Sequence, residues 1–178
     1  MNGIALTLRA LHEREQRLAD DLVTVAERHR AEHEVHHVAT DLAAWSLTHV
    51  RRLAEAAAQR DAELKRPADP SYSVFATPRA KKPGALVHRP APGLLLLRDL
   101  RELHIAAAEN SLHWEMLAQA AQASRDTDLL QLVSECHPQT LRQMRWTNTM
   151  IKNLAPQILT SLETTAASAA AQAQASPP

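Results

Sequence analysis

Two ionisable residues interrupt apolar stripes that otherwise have the spacing of buried helix faces. Glu15 stands in a run of Leu and Val residues spaced alternately by three and four, and His49 stands in a second such run. A carboxylate or an imidazole on a buried face is costly unless it is paired or bound to a metal ion. If the chain turns back near residues 30–32, an antiparallel hairpin sets residue i opposite roughly 61 minus i. This register places His12 opposite His49 and Glu15 opposite Ser46, so the two interruptions fall at about the same level.

Glu15 and His49 admit two interpretations. Carboxylate and imidazole together suit Fe, Mn or Zn, so the first is metal ligation. The second is a polar pair that fixes the register of a helical core without binding anything. A further group of histidines surrounds the predicted turn and is expected to be solvated, although histidines one helical turn apart can bind Zn or Ni adventitiously. These are His29, His33, His36 and His37.

The composition is typical of an all-α protein and argues against several classes of function. Gly is scarce, and 20 basic residues balance 20 acidic ones, so the chain lacks the basic excess of a general nucleic-acid binder. The single cysteine, Cys136, excludes an internal disulfide and favours the cytoplasm. The N-terminus has no signal-peptide pattern, and the longest apolar run, Leu94 to Leu97, is far too short to span a membrane. With three glycines, a phosphate-binding loop of the usual kind is close to excluded.

Apolar periodicity predicts four helices. The first two cover about residues 4–29 and 33–65, within a stretch that contains neither Gly nor Pro. The third and fourth cover about residues 94–124 and 128–154. The stripe of the third helix is predicted to consist of Leu96, Leu100, Leu103, Ala107, Asn110, Trp114, Leu117 and Ala121. The spacing of the four helices predicts two helical hairpins that bury their apolar stripes against each other, because neither hairpin alone could cover its apolar faces.

The fourth helix has specific signals at its start, middle and end. Asp126 or Thr127 can cap its first turn. Pro138 is expected to kink it and Pro156 to end it. Its inward face is predicted to consist of Leu130, Val133, His137, Leu141, Met144, Thr147, Ile151 and Leu154.

Residues 67–92 connect the two hairpins and contain six of the ten prolines, so they are not expected to form a regular helix. At roughly 3.1 Å per residue in a polyproline-like conformation, such a segment can cross the length of a bundle. The alternative is a flexible linker between two separate domains. We expect one domain over residues 1–159, followed at 160–178 by a low-complexity tail of frayed helix and disorder.

With two hairpins, a long crossover and polar residues in mid-core, residues 4–154 resemble the ferritin-like superfamily of bacterioferritins and rubrerythrins. In that family helices one and three each supply a Glu, and helices two and four each supply a Glu-x-x-His pair. The resemblance implies a ferritin-like four-helix bundle. It also implies a metal site drawn from residues of all four helices, which are Glu15, His49, Glu109, His113 and His137.

The chain departs from the family pattern at several of these positions. Ser46 stands three residues before His49, where the family has Glu. The fourth helix offers Glu135 and His137 at a spacing of two, and the literal Glu-x-x-His from Glu34 to His37 lies at the hairpin end. The resemblance therefore implies the fold more strongly than the chemistry.

Two functions follow as expectations. The first is a ferritin-like protein with a degenerate or reduced site for Fe, Mn or Zn, which acts in metal binding or stress response, with enzymatic activity left open. The second is a non-catalytic structural or interaction module that has lost the metal. In either case we expect a bacterial, cytoplasmic protein without a nucleic-acid or membrane partner. We also expect a homo-oligomer, since the Trp and Leu content exceeds what one bundle needs.

Overall fold

A computed structural model describes residues 3–60, 64 and 91–174, and in these ranges the chain forms four helices and no strands. Helices α1 to α4 run over Gly3–Arg28, His33–Ala58, Pro92–Ser124 and Thr127–Gln174. α1 packs along α2 and α3 along α4, and the two hairpins meet through contacts of α1 with α3 and of α2 with α4. The prediction of an all-α four-helix bundle is confirmed.

The apolar stripes predicted for α1 and α3 are the buried faces of these helices. In α1, the buried residues include Glu15 together with Leu8, Leu11, Leu18, Leu22 and Val25. In α3, every position of the predicted stripe is buried, namely Leu96, Leu100, Leu103, Ala107, Asn110, Trp114, Leu117 and Ala121. Periodicity of three and four was therefore sufficient to orient both helices.

The predicted inward face of α4 is wrong at Leu130 and Leu141. Both residues are exposed, whereas their neighbours Leu129 and Thr140 are buried. The physical reason is that α4 has two adjacent stripes, and the buried one contains polar residues in its middle. Hydrophobicity alone therefore favoured the outer stripe at these positions.

α2 ends at Ala58 and not near residue 65 as predicted. Arg60 makes two side-chain contacts just beyond the end of α2. Its Nη1 donates to the main-chain carbonyl of Ala56 at 2.8 Å, which satisfies a terminal acceptor. Its Nη2 also forms an ion pair with Asp126 at 2.7 Å, in the turn between α3 and α4. These contacts hold the chain at the end of the bundle.

Asp126 also begins α4. The main-chain N–H of Leu129 donates to its Oδ1 at 3.0 Å, which is the bond that an N-cap carboxylate makes. The prediction that Asp126 or Thr127 caps this helix is therefore confirmed for Asp126. Arg125, just before it, has a left-handed backbone with φ of 57°, which ends α3.

α4 continues far beyond its predicted end at residue 154. It passes through Pro156 and runs to Gln174, so most of the predicted low-complexity tail is helical. Pro138 and Pro156 each remove one helical hydrogen bond, which leaves the carbonyls of Ser134 and Lys152 without that donor. Both prolines and both of these residues are exposed, so water can satisfy the carbonyls and the helix is not obliged to end.

Most of the predicted crossover over residues 67–92 lies outside the described residues. Its last residue, Pro92, is the first residue of α3, two positions earlier than expected. Proline is favoured at the start of a helix because its missing N–H would have no helical partner there.

The core consists of two apolar clusters that each take residues from all four helices. The first lies toward the α1–α2 turn and includes Leu22, Leu42, Leu100 and Met150. The second lies toward the α3–α4 turn and includes Leu11, Leu53, Leu117 and Leu129. Among the described residues, no helix combines the length and the apolar character that crossing a membrane requires.

Candidate functional site

Buried polar residues separate the two apolar clusters at the middle of the bundle. We call them the polar layer, which comprises Glu15, Ser46, His49, Asn110, Thr140 and Gln143, each at most 1% exposed. All four helices contribute to it. On every helix, apolar core residues lie on both sides of the layer residue in the sequence, so packing of the clusters holds the polar side chains at one level.

Glu15 and His49 are in contact at the centre of this layer. Oε2 of Glu15 lies 3.3 Å from Nδ1 of His49, and both side chains are completely buried. The other carboxylate oxygen accepts a hydrogen bond from the indole N–H of Trp114 at 3.1 Å. The imidazole Nε2–H donates to Oε1 of Gln139 at 2.9 Å. One side chain from each helix therefore takes part in the group, which we call the central quartet: Glu15, His49, Trp114 and Gln139.

The side-chain pairing predicted for the first hairpin is wrong by one helical turn, since Glu15 contacts His49 and not Ser46. Side chains on a helix tilt toward its N-terminus. In an antiparallel hairpin, the side chain of Glu15 therefore tilts away from the turn and that of His49 tilts toward it. They meet although their backbones are offset. Ser46 instead accepts a hydrogen bond from Nε2 of Gln143 at 2.9 Å.

The contact between Glu15 and His49 lacks the geometry of a hydrogen bond. Oε2 and Nδ1 lie within ion-pair distance, yet neither atom has a hydrogen-bond partner among the described residues. Because Nε2–H donates to Gln139, a neutral imidazole would present its Nδ1 lone pair to the carboxylate oxygen. Attraction between these two atoms therefore requires one proton or another cation between them.

Three more atoms of the polar layer have no hydrogen-bond partner in the part of the chain that is described. They are Nδ2 of Asn110, Oγ1 of Thr140 and Oε1 of Gln143. Gln143 is nevertheless held in place, because its Nε2 also donates to the carbonyl of Leu42 at 3.1 Å. Buried polar atoms of this kind commonly bind internal water.

The other three residues predicted as metal ligands do not join Glu15 and His49. Glu109 forms an ion pair with Arg14 at 2.7 Å. Nδ1–H of His113 donates to the main-chain carbonyl of Glu109 at 2.8 Å. His137 shares a hydrogen bond of 2.8 Å between its Nε2 and the hydroxyl of Ser111. Within residues 3–60, 64 and 91–174, no three His, Cys, Asp or Glu side chains are grouped so that they could hold a metal ion.

Burial shifts the pKa of three further imidazoles and of the thiol. It lowers the pKa of His12, His113 and His137, because a charged ring loses hydration inside the bundle. Burial also raises the pKa of Cys136 to about 11, so the thiol stays protonated at neutral pH. Cys136 is buried, as expected for a small apolar residue.

A second buried carboxylate, Asp99, was not predicted from the sequence. Its carboxylate accepts hydrogen bonds from Nη1 of Arg28 at 2.5 Å, Nε2 of His29 at 2.9 Å and Nη2 of Arg98 at 2.9 Å. Burial alone would raise the pKa of Asp99, but the hydrogen bonds from His29, Arg28 and Arg98 outweigh it and leave the pKa below its usual value. Asp99 lies beside the predicted stripe of α3, and no spacing pattern marked it.

The histidines around the α1–α2 turn are not equivalent. His33 and His37 are exposed and stack with ring centroids 6.4 Å apart. His36 donates from Nδ1 to the carbonyl of Ala26 at 3.0 Å and so satisfies an acceptor at the end of α1. His29, expected to be solvated, is buried against Asp99.

No protein-family model, curated protein or solved structure matches this chain significantly. The chemistry of the site can still be tested against the metal centre that the family resemblance implies. Such a two-metal centre takes four carboxylates and two histidines. The polar layer offers one carboxylate, that of Glu15, and one imidazole, that of His49. The indole of Trp114 already donates to the second oxygen of this carboxylate, and Gln139 already accepts a hydrogen bond from Nε2 of this imidazole. These residues do not fit a two-metal centre.

Proposed function

We propose that this chain is a ferritin-like bundle that works as a non-catalytic structural or interaction module, without a two-metal centre. The supporting observation is the central quartet, in which side chains from four helices meet at a completely buried carboxylate and imidazole. Polar groups in a helical core penalise every register that leaves them unpaired. The quartet would thus select one arrangement of the helices and keep the outer faces rigid for binding.

The positions of the helix ends support the ferritin-like topology. α2 ends next to Asp126 in the α3–α4 turn, because Arg60 pairs with that residue. α3 starts near the opposite end of the bundle, where Asp99 in its first turns contacts His29 in the α1–α2 turn. The end of α2 and the start of α3 thus lie at opposite ends of the bundle, where the one long crossover of ferritin-like folds would begin and end.

A single-metal protein is the second candidate, and the separation of Glu15 from His49 favours it. Two ligands bound to one ion at about 2.1 Å each lie roughly 3 to 3.5 Å apart. Oε2 and Nδ1 are 3.3 Å apart without a hydrogen bond between them. One carboxylate and one imidazole would suit Fe, Mn or Zn, with other layer oxygens or water completing the coordination.

Elemental analysis of the protein purified without a His-tag tests the proposal. We expect less than stoichiometric Fe, Mn and Zn in the wild type, and no change in Glu15→Ala or His49→Ala. Glu109→Ala is the matched control, since Glu109 is a carboxylate that pairs with Arg14 outside the polar layer. Stoichiometric metal that is lost in Glu15→Ala and His49→Ala but retained in Glu109→Ala would overturn the proposal in favour of the single-metal protein.

A further inference from the structure

The exposed side of α3 has an apolar stripe of its own. Ile105, Leu112 and Met116 are 46%, 64% and 42% exposed. Ala108 is half-buried and lies on the same side, at the three- and four-residue spacing of a helix face that packs against another helix. Because the opposite side of α3 packs into the core, this helix has two apolar faces.

α4 adds one apolar residue at the same level. Hydrogen bonds between Ser111 and His137, and between His104 and Thr147, fix the level of α4 relative to α3. They place Leu141, which is 43% exposed, beside the turn of α3 that contains Ala108. We call this surface the α3 face, and it comprises Ile105, Ala108, Leu112, Met116 and Leu141.

One border of the α3 face carries two charges, Arg101 and Glu115, that would pair with each other across a two-fold axis. Arg101 and Glu115 are two heptads apart, so they lie on the same border of the stripe. Their side chains are 65% and 57% exposed. In an antiparallel pair of identical helices, residues equidistant from the two-fold axis meet, and each contact occurs twice. With the axis beside Ala108, Arg101 of one copy meets Glu115 of the other.

The same axis pairs the apolar residues. Ile105 of one copy then packs against Leu112 of the other, Ala108 allows the two helices to approach closely, and Leu141 lies next to the axis. Glu102 starts from the opposite border of the stripe, but its carboxylate forms an ion pair of 2.5 Å with Arg101 of the same chain. In the dimer, the guanidinium of Arg101 would therefore lie between Glu102 of its own chain and Glu115 of the other copy. A partner of different sequence would not require this internal symmetry of charge.

We propose that the α3 face binds a second copy of this chain, with the two α3 helices antiparallel and a two-fold axis beside Ala108. Because all of its residues lie outside the central quartet, the dimer does not depend on the function proposed above. The dimer also gives a role to exposed Leu141 of α4 and to the second apolar stripe of α3.

Sedimentation velocity of the full chain over a wide concentration range tests the location of the surface. We expect a dimer for the wild type and a monomer for Leu112→Asp. The matched control is Leu47→Asp, because Leu47 is also exposed, at 43%, but lies on α2 outside the α3 face. A wild type that stays monomeric, or a dimer that Leu47→Asp dissociates and Leu112→Asp does not, would overturn the proposal.

A charge exchange tests the antiparallel register. Arg101→Glu places two glutamates opposite each other, and Glu115→Arg places two arginines opposite each other, so each variant should raise the dimer Kd by about tenfold. Mixing the two variants should restore the dimer, because each contact then joins a Glu to an Arg. The double variant Arg101→Glu with Glu115→Arg should also dimerise. Failure of the mixture and of the double variant to recover wild-type affinity would exclude this register, and circular dichroism verifies that every variant is folded.

Discussion

Glu15 and Asp99 are both buried carboxylates, but their surroundings differ in one decisive respect. Asp99 lies near the end of the bundle and accepts hydrogen bonds from Arg28, His29 and Arg98. Glu15 lies in the middle and has one hydrogen bond from Trp114 and one unaligned contact with His49. Arg28 and Arg98 reach Asp99 from the end of the bundle with side chains that remain 38% and 36% exposed. In the middle of the bundle, only side chains from the packed helices reach the carboxylate.

The largest expected effect is that of breaking the central quartet. Glu15→Ala should lower the free energy of unfolding by about 3 kcal/mol, because it strands a buried imidazole and an indole N–H. The double variant Glu15→Leu with His49→Leu should be close to the wild type or more stable, since apolar side chains of similar size replace the whole pair. Urea denaturation at neutral pH measures both. A double variant that loses as much as the single one would show that the pair itself stabilises the fold.

A smaller loss is expected at the other carboxylate. Asp99→Ala should cost about 2 kcal/mol, because His29 is buried and loses its acceptor while Arg28 and Arg98 can turn into solvent. The folded-state pKa of Asp99 lies below its ordinary value, so its contribution is present above about pH 4 and lost as the pH falls further. Acid titration of stability below pH 5 should therefore be shallower in Asp99→Ala than in the wild type. Equal acid sensitivity of the two proteins would argue against this linkage.

Asp126 is a third carboxylate that can be compared with Glu15 and Asp99, and it lies nearer the surface. Asp126→Ala should cost about 1 kcal/mol, the usual value of an N-cap. Arg60→Ala should cost less, because it removes a partly solvated ion pair and the bond to the carbonyl of Ala56 but leaves the cap of α4 intact. If Arg60→Ala proved as destabilising as Asp126→Ala, the contact with the end of α2 would matter more than the cap. Thermal unfolding of both variants distinguishes the two cases.

The smallest expected effect concerns the histidines near the core but outside the quartet. Burial lowers the pKa of His113 and His137 below the unfolded value of 6.5, so the unfolded chain binds more protons in this range. Stability should then decline as the pH falls from about 7 to 5. Replacing both residues with Gln should flatten that decline, which urea titrations at several pH values measure. A steeper decline in the variant would mean that protonation of these two histidines favours the folded state instead.

The fold could be predicted from the sequence where apolar residues alone decide orientation. α1 and α3 were oriented correctly, and Glu15 and His49 were identified because they interrupt uniform stripes. The α4 face was misassigned because Thr140 lies inside while Leu141 lies outside. The partners of Glu15 and His49 could not be found in advance, since Trp114 fits any apolar core and Gln139 lies beside the stripe. Long-range contacts of this kind depend on helix offset, which periodicity does not encode.

The division of the core by the polar layer affects how the bundle opens. Each apolar cluster takes residues from all four helices, so fraying of a single helix end cannot release one cluster without exposing residues of three other helices. Five polar atoms of the layer between them have no hydrogen-bond partner among the described residues. One half of the bundle could therefore loosen while the other stays closed, so that amide protons would exchange in two blocks, one for each end of the molecule. The boundary between these blocks would run through the turns of helix that contain Glu15 and His49.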